Sequence, residues 1–148
     1  MHIIFSLAWA KEGASLRRAF KSVESETLFR NYAERISKFS VCRIAGGVQE
    51  NQKTSGKTWV CERSGHTLTS EELSRKLAET LNQGCQKLRI VIGGADGFSA
   101  KEIEQLRPDF KWSFGPLTLS HELAALVACE QVYRAWTILK NLPYHMKH

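Results

Sequence analysis

The run L-R-I-V-I at Leu88–Ile92 is the feature that most narrows the folds open to this chain. It is nearly all apolar and lacks the polar alternation of a half-solvated strand. It therefore reads as a buried strand of a parallel sheet. It opens directly onto a glycine loop, I-G-G-A-D-G at Ile92–Gly97. In open parallel sheets, ligands bind beyond the carboxyl ends of central strands. The loop thus lies where a ligand belongs.

The rest of the chain alternates strands with helices. Residues 2–8, H-I-I-F-S-L-A, read as a strand. A helix is predicted near 24–38, with Leu28, Tyr32 and Ile36 on one stripe at i, i+4 spacing. Ser40–Ala45 reads as a short strand, and Gly46–Lys57, polar and punctuated by glycine, as a loop. Thr58–Glu62 is a strand by its aromatic and β-branched content, and Arg63-Ser64-Gly65-His66 is expected to turn the chain. Thr69 to Glu72 and Ser99 to Glu102 are capping boxes, so helices should begin at both. The first should run to about Asn82 and the second should stop before Pro108. Trp112–Phe114 is a short strand, and a last helix spans about Ser120 to Asn141. This order predicts an α/β fold, a mainly parallel sheet flanked by helices.

At 148 residues, 43% of them hydrophobic, the chain has the mass of one domain with a real core. No apolar run is long enough to span a bilayer. The apolar start, Met1–Ala10, lacks a basic leading segment and meets Lys11-Glu12 at once, so a buried first strand fits better than a signal peptide. Cys42, Cys61, Cys85 and Cys129 form no C-x-x-C pair, which argues against a metal and for reduced thiols in a cytosolic protein. The net charge is +6, with basic residues concentrated early, at Lys11, Arg17, Arg18, Lys21, Arg30, Arg35, Lys38 and Arg43. Such a balance suits a polyanionic partner, or simply a solvated helix face.

Several familiar motifs fail on single positions. Ser55-Gly56-Lys57-Thr58 ends like a phosphate-binding loop, but Asn51 stands where the first glycine belongs, and a strand follows instead of a helix. Ile92 breaks the G-x-G-x-x-G spacing of a dinucleotide fold. His121-Glu122-Leu123-Ala124-Ala125 starts like a zinc-protease helix and lacks its second histidine. No G-x-S-x-G is present for a hydrolase nucleophile.

The remaining candidates sit in the last third. Gly93 and Gly94 permit close backbone approach and can supply positive φ, for a ligand or for a plain tight turn. Phe114-Gly115-Pro116-Leu117-Thr118-Leu119 is a second irregular segment, and two such loops suit a flat ring held by backbone hydrogen bonds. His121 stands at a helix start, where the dipole favours a neutral imidazole and anionic neighbours. Arg134 is spaced i, i+4 from Glu130, for an intrahelical ion pair or a phosphate contact. The last helix carries apolar residues on more than one face, as a buried helix or a subunit interface does. The tail L-P-Y-H-M-K-H concentrates acid–base and phosphate-binding groups at Tyr144, His145, Lys147 and His148.

Taken in order, I-G-G-A-D-G, F-G-P-L-T-L-S-H, E-Q-V-Y-R-A-W-T-I and N-L-P-Y-H resemble the RlmH family, the small SPOUT-class ribosomal RNA methyltransferases. The resemblance is specific over residues 58–148 and weaker over 1–57. It implies one SPOUT-type domain over 1–148, with a deep C-terminal trefoil knot and the cofactor site within about 88–148. It implies a cytoplasmic homodimer that uses S-adenosylmethionine and no metal. The implied reaction is methylation of N3 of a pseudouridine in the 23S rRNA, on assembled ribosomes. By position, the cofactor site would use Cys61, Gly93, Gly94 and Phe114 to Leu119. Reaction and RNA contacts would fall to His121, Arg134, Tyr144 and His145, with the tail reaching across the dimer. The chain departs from the family at Cys61-Glu62, where Leu-Asp is usual, at Met146, where Lys or Arg is usual, and in its short 46–57 stretch. Rival readings are a non-catalytic ribosome-binding module of the same fold and a SPOUT enzyme with another RNA target.

Overall fold

The computed structural model describes residues 1–11, 16–47 and 56–146. Among these residues five strands form one sheet: β1 (His2–Leu7), β2 (Val41–Gly46), β3 (Gly56–Thr67), β4 (Lys87–Ile92) and β5 (Phe110–Ser113). Their order is β2-β1-β4-β3-β5, and every paired neighbour is parallel. The expected α/β architecture is therefore present, with the glycine-loop strand β4 at the centre. Between the strands run helices α1 (Leu16–Ala19), α2 (Val23–Ile36), α3 (Ser70–Asn82) and α4 (Ala100–Leu106), and α5 (His121–Leu139) follows β5.

The two faces of the sheet are covered differently. Alternation places Ile3, Phe5, Leu88, Ile90 and Trp59 on one face, where they join α2, α3 and α5 in the main core. Each of these five is at most 1% exposed, and burying a side chain of this size is worth about 1.5–3 kcal/mol. On the other face, Val60 and Val91 pack under Leu106 of α4. Arg89 shares that face one pleat away, half-buried, and burial lowers its pKa. So the apolar run is buried on both faces at Val91 but not along its whole length.

Local signals fix the helix starts. Thr69 accepts from the Glu72 amide at 3.1 Å, and the Glu72 carboxylate accepts from the Thr69 amide at 3.0 Å. Ser99 and Glu102 repeat the arrangement at α4. Arg107, at φ 46°, ends α4 in the left-handed region immediately before Pro108.

Three expectations need correction. The buried stripe of α2 is Phe29, Ala33 and Ile36, whereas Leu28 is 47% exposed and Tyr32 half-buried. Two adjacent registers satisfy i, i+4 spacing, and Phe29 wins by meeting the Phe5 ring edge-on at 5.9 Å. Arg63 to His66 do not turn the chain, because β3 runs on to Thr67. Its pairing with β5 shifts between Cys61 and His66, both of which oppose Trp112, so residues 62–65 leave the ladder and return. The predicted 46–57 loop is described only at its ends, where Gly46 closes β2 and Gly56-Lys57 opens β3; residues 48–55 lie outside the described residues. The one-turn helix α1 had no sequence signal.

Candidate functional site

Three segments meet beside the middle of β3 and the carboxyl ends of β4 and β5. They are the excursion after Cys61, the glycine loop after Ile92 and the loop after Ser113. Together they enclose a cavity of about 300 Å³. Its wall includes Cys61, Gly93, Gly94, Phe114, Gly115, Leu117, Thr118, Leu119 and His121. Pro116 belongs to the same loop but is exposed and off the wall.

The glycine loop closes by a hydrogen bond from the Gly97 amide to the Gly94 carbonyl at 3.0 Å. Gly97 carries the left-handed backbone, at φ 69°, and neither Gly93 nor Gly94 does. Gly93 is needed for space instead: a Cβ there would lie 2.9 Å from the Phe98 ring. The glycine pattern thus marks a loop that lines this cavity, but the positive φ falls to Gly97 instead of Gly93 or Gly94.

Ser113 joins the other two segments. Its buried hydroxyl donates to the Arg63 carbonyl at 2.9 Å and accepts from the Gly115 amide at 3.1 Å. Arg63 Nη1 donates to Thr118 Oγ1 at 3.0 Å. Excursion and loop are thereby tied at both backbone and side chain. Burial raises the pKa of the Cys61 thiol, so this part of the wall stays uncharged.

His121 is the first residue of α5, after the N-cap Ser120. Its ring meets Trp9 edge-on at 4.6 Å between centroids. Next to it, Glu122 Oε1 accepts from the Lys21 and Ser22 amides at 3.0 and 3.2 Å.

Arg134, Tyr144 and His145 gather elsewhere. Glu130 Oε1 accepts from Arg134 Nη2 at 2.8 Å and Nε at 3.1 Å, and from the Tyr144 hydroxyl at 3.0 Å. The Arg134 guanidinium lies 4.7 Å from the Tyr144 ring centroid. His145 bridges Arg134 and Glu71. Burial, then the hydrogen bonds to Tyr32 and Glu130, raise the pKa of the Tyr144 phenol. A raised phenol keeps its proton and is a poor base near neutral pH.

The structure therefore brings His121 to the cavity and collects the other three candidates at a second place. Thirteen residues of helix separate His121 from Arg134, which is about 20 Å. Sequence reasoning missed Arg63, Trp9, Glu71 and Tyr32, all of which touch a candidate residue. The first lay in a supposed turn. Glu71 was visible only as part of a capping box. Among the described residues, no group of three or more His, Cys, Asp or Glu converges on a metal position. None of the described helices is long and apolar enough to cross a membrane.

Comparison with known proteins gives this geometry a family. Residues 18–145 match the family described as predicted SPOUT methyltransferase. Ribosomal RNA large subunit methyltransferase H of Psychrobacter sp. (strain PRwf-1) is 46% identical over 89 residues, 60% of this chain and 53% of that protein. The protein of the same name from Teredinibacter turnerae is 33% identical over 147 residues, 93% of this chain and 91% of that one. The alignments with the first relatives span only about half of those proteins' length. A solved methyltransferase structure from Legionella pneumophila, in complex with SAM, aligns over 90% of this chain and 66% of that one, at 16% identity and a TM-score of 0.45. With the parallel sheet, the glycine loop after its central strand and a family match across most of its length, this chain belongs to the SPOUT methyltransferases, and within them to the RlmH family.

Proposed function

We propose that this chain is an S-adenosylmethionine-dependent methyltransferase of ribosomal RNA, and that it methylates N3 of a pseudouridine in the 23S rRNA of assembled ribosomes. The observation that carries this is the cavity beside the middle of β3 and the ends of β4 and β5, in a chain whose relatives are named ribosomal RNA large subunit methyltransferase H. Its size is at the lower end of the range for small-molecule sites. Two loops line it with backbone, which suits a flat purine. Cys61, Gly93, Gly94 and the Phe114–Leu119 loop would hold the cofactor, with Leu117 and Leu119 as apolar wall and Pro116 shaping the loop.

S-adenosylmethionine, when bound, supplies a methyl group already activated on a sulfonium. What the protein must add is position and an outlet for the N3 proton. His121, at the cavity, would meet the target nucleotide. Arg134 and the early basic residues would take RNA phosphates. Of the tail groups, His145 is the better base, because Tyr144 is held protonated.

The separation of Arg134, Tyr144 and His145 from the cavity supports a homodimer in which the tail of one protomer completes the site of its partner. With that function go the family's single domain over 1–148, its deep trefoil knot within about 88–148 and a cytoplasmic location.

The test is incubation of the protein with methyl-labelled cofactor and ribosomes that lack the modification, followed by mass spectrometry of the rRNA. Label on a pseudouridine of the large-subunit rRNA is expected. Label on tRNA alone, or none despite cofactor binding, overturns the proposal. Light scattering on a sizing column should give twice the chain mass, and a monomer would remove the shared site.

A further inference from the structure

We infer that Arg63 and Asp96 hold the two charges of the cofactor's amino-acid end, Arg63 its α-carboxylate and Asp96 its α-ammonium. This rests on the S-adenosylmethionine reading above. Both would act through charged side chains, beside the main-chain and apolar lining that the glycine loop and the Phe114–Leu119 segment form.

The cavity wall is mostly main chain and apolar side chain, with His121 at one side. Full charge enters it from two places. Arg63 comes from the excursion within β3, and Asp96 from the glycine loop after β4. A neutral wall can recognise a flat purine, but it gives nothing to a zwitterion, whose two charges would lose their hydration unpaired. A wall with one sign of charge would repel half of it. One cation and one anion on separate loops match both ends.

Arg63 is also held before any ligand arrives. Its carbonyl accepts from the Ser113 hydroxyl, and Nη1 donates to Thr118. A guanidinium has five N–H donors. The Thr118 contact uses one and fixes the plane, leaving others for a carboxylate, whose geometry the planar fork matches. The rotamer freedom that binding would remove is already restricted. Asp96 sits in the turn that Gly94 and Gly97 close, so its main chain is set by that turn.

The experiment measures Kd by calorimetry for two ligands on the full chain. S-adenosylhomocysteine has the amino-acid end, and 5′-methylthioadenosine is a nucleoside thioether without it. Arg63→Gln should weaken S-adenosylhomocysteine about tenfold or more, and Asp96→Asn should weaken it in the same sense. Both variants should bind methylthioadenosine within about twofold of wild type. Arg63→Lys, which keeps the charge but not the fork, should fall between. Thr118→Val, which removes the contact that fixes the Arg63 guanidinium, should weaken S-adenosylhomocysteine more than methylthioadenosine, and by less than Arg63→Gln does. Equal losses for the two ligands in Arg63→Gln would make Arg63 a loop tie and overturn the inference, as would no loss in a folded variant. If wild type binds neither ligand, the cofactor reading falls and the inference with it. If wild type binds both and the variants do not discriminate, the inference alone falls.

Discussion

His145 Nδ1 lies 3.1 Å from Arg134 Nη1. A guanidinium only donates, so Nδ1 accepts, and the Nε2 proton is left to donate to Glu71 Oε1 at 2.9 Å. A cation on α5 and an anion on α3 therefore set both the tautomer and the ring plane of a tail residue. If His145 moves a proton during transfer, His145→Ala should lower kcat for ribosome methylation by about a hundredfold or more. Its Kd for S-adenosylhomocysteine should stay at the wild-type value, because His145 is off the cavity wall. Stopped single-turnover methylation and calorimetry on one preparation check both. A matched loss of cofactor affinity would place the tail at the cofactor instead.

Tyr144 predicts an alkaline weakness. Its phenol pKa is raised in the folded chain by burial and by its bonds to Tyr32 and Glu130. A raised pKa means the folded state holds the proton more tightly than the unfolded state. The stabilisation is complete below pH of about 10, the ordinary phenol value, and is lost as pH climbs above it. Burial pushes the Cys42 thiol up to about 12 from 9.0, and acts the same way above pH 9. Urea midpoints should fall between pH 9 and 11.5. Tyr144→Phe should flatten the fall above pH 10, and Cys42→Ala should lessen the part that begins near pH 9, to which the raised Cys61 and Cys129 thiols also contribute. An unchanged slope in both variants would mean that neither group drives it.

The sequence made the parallel sheet and the glycine loop legible, and the reasons are local. Leu88–Ile92 shows its burial in its composition, and Thr69 and Ser99 show their helix starts in a spacing of three residues. What stayed hidden depends on contacts between distant segments. Phe29 rather than Leu28 faces inward because Phe5 is there to meet it. The excursion at 62–65 looked like a turn because Arg-Ser-Gly-His has turn composition. Only the pairing with Trp112 on both sides shows the strand resuming. The grouping of Tyr144 and His145 with Glu71 spans more than seventy residues, and no periodicity reports that.

Gly65 should be the least replaceable residue of the excursion. A Cβ there would lie 2.5 Å from the Lys111 carbonyl oxygen and 2.6 Å from its carbon, both main-chain atoms of β5 that cannot rotate away. Gly65→Ala should cost about 1–3 kcal/mol in urea unfolding. It should also weaken S-adenosylhomocysteine, because moving β3 off β5 shifts the Arg63 carbonyl from Ser113. Gly84→Ala offers a contrast. Its φ of 77° is strained for alanine, but nothing lies within 4 Å, so stability should drop without a change in affinity. Similar affinity losses in both variants would show that strain anywhere in the chain reaches the cavity.

Glu122 joins the front of the molecule to the start of α5. Its Oε1 accepts from the Lys21 and Ser22 amides, and Ser22 is the N-cap of α2, whose hydroxyl accepts from the Ser25 amide at 3.2 Å. One carboxylate oxygen thus holds the entry to α2 beside His121. Glu122→Ala would leave two amides to find water, at a cost of about 1–3 kcal/mol. Glu122→Gln keeps an acceptor oxygen at the same reach and should cost less than half of that. If the role is to fix the start of α5, the alanine variant should also disturb the contact between His121 and Trp9. Indole fluorescence reads this, since Trp9 Nε1 donates to the Ala19 carbonyl at 2.6 Å in the neighbouring turn. A shift of the emission maximum in Glu122→Ala that Glu122→Gln does not show would tie the N-terminal segment to the candidate site through this one oxygen. Identical spectra would confine Glu122 to capping.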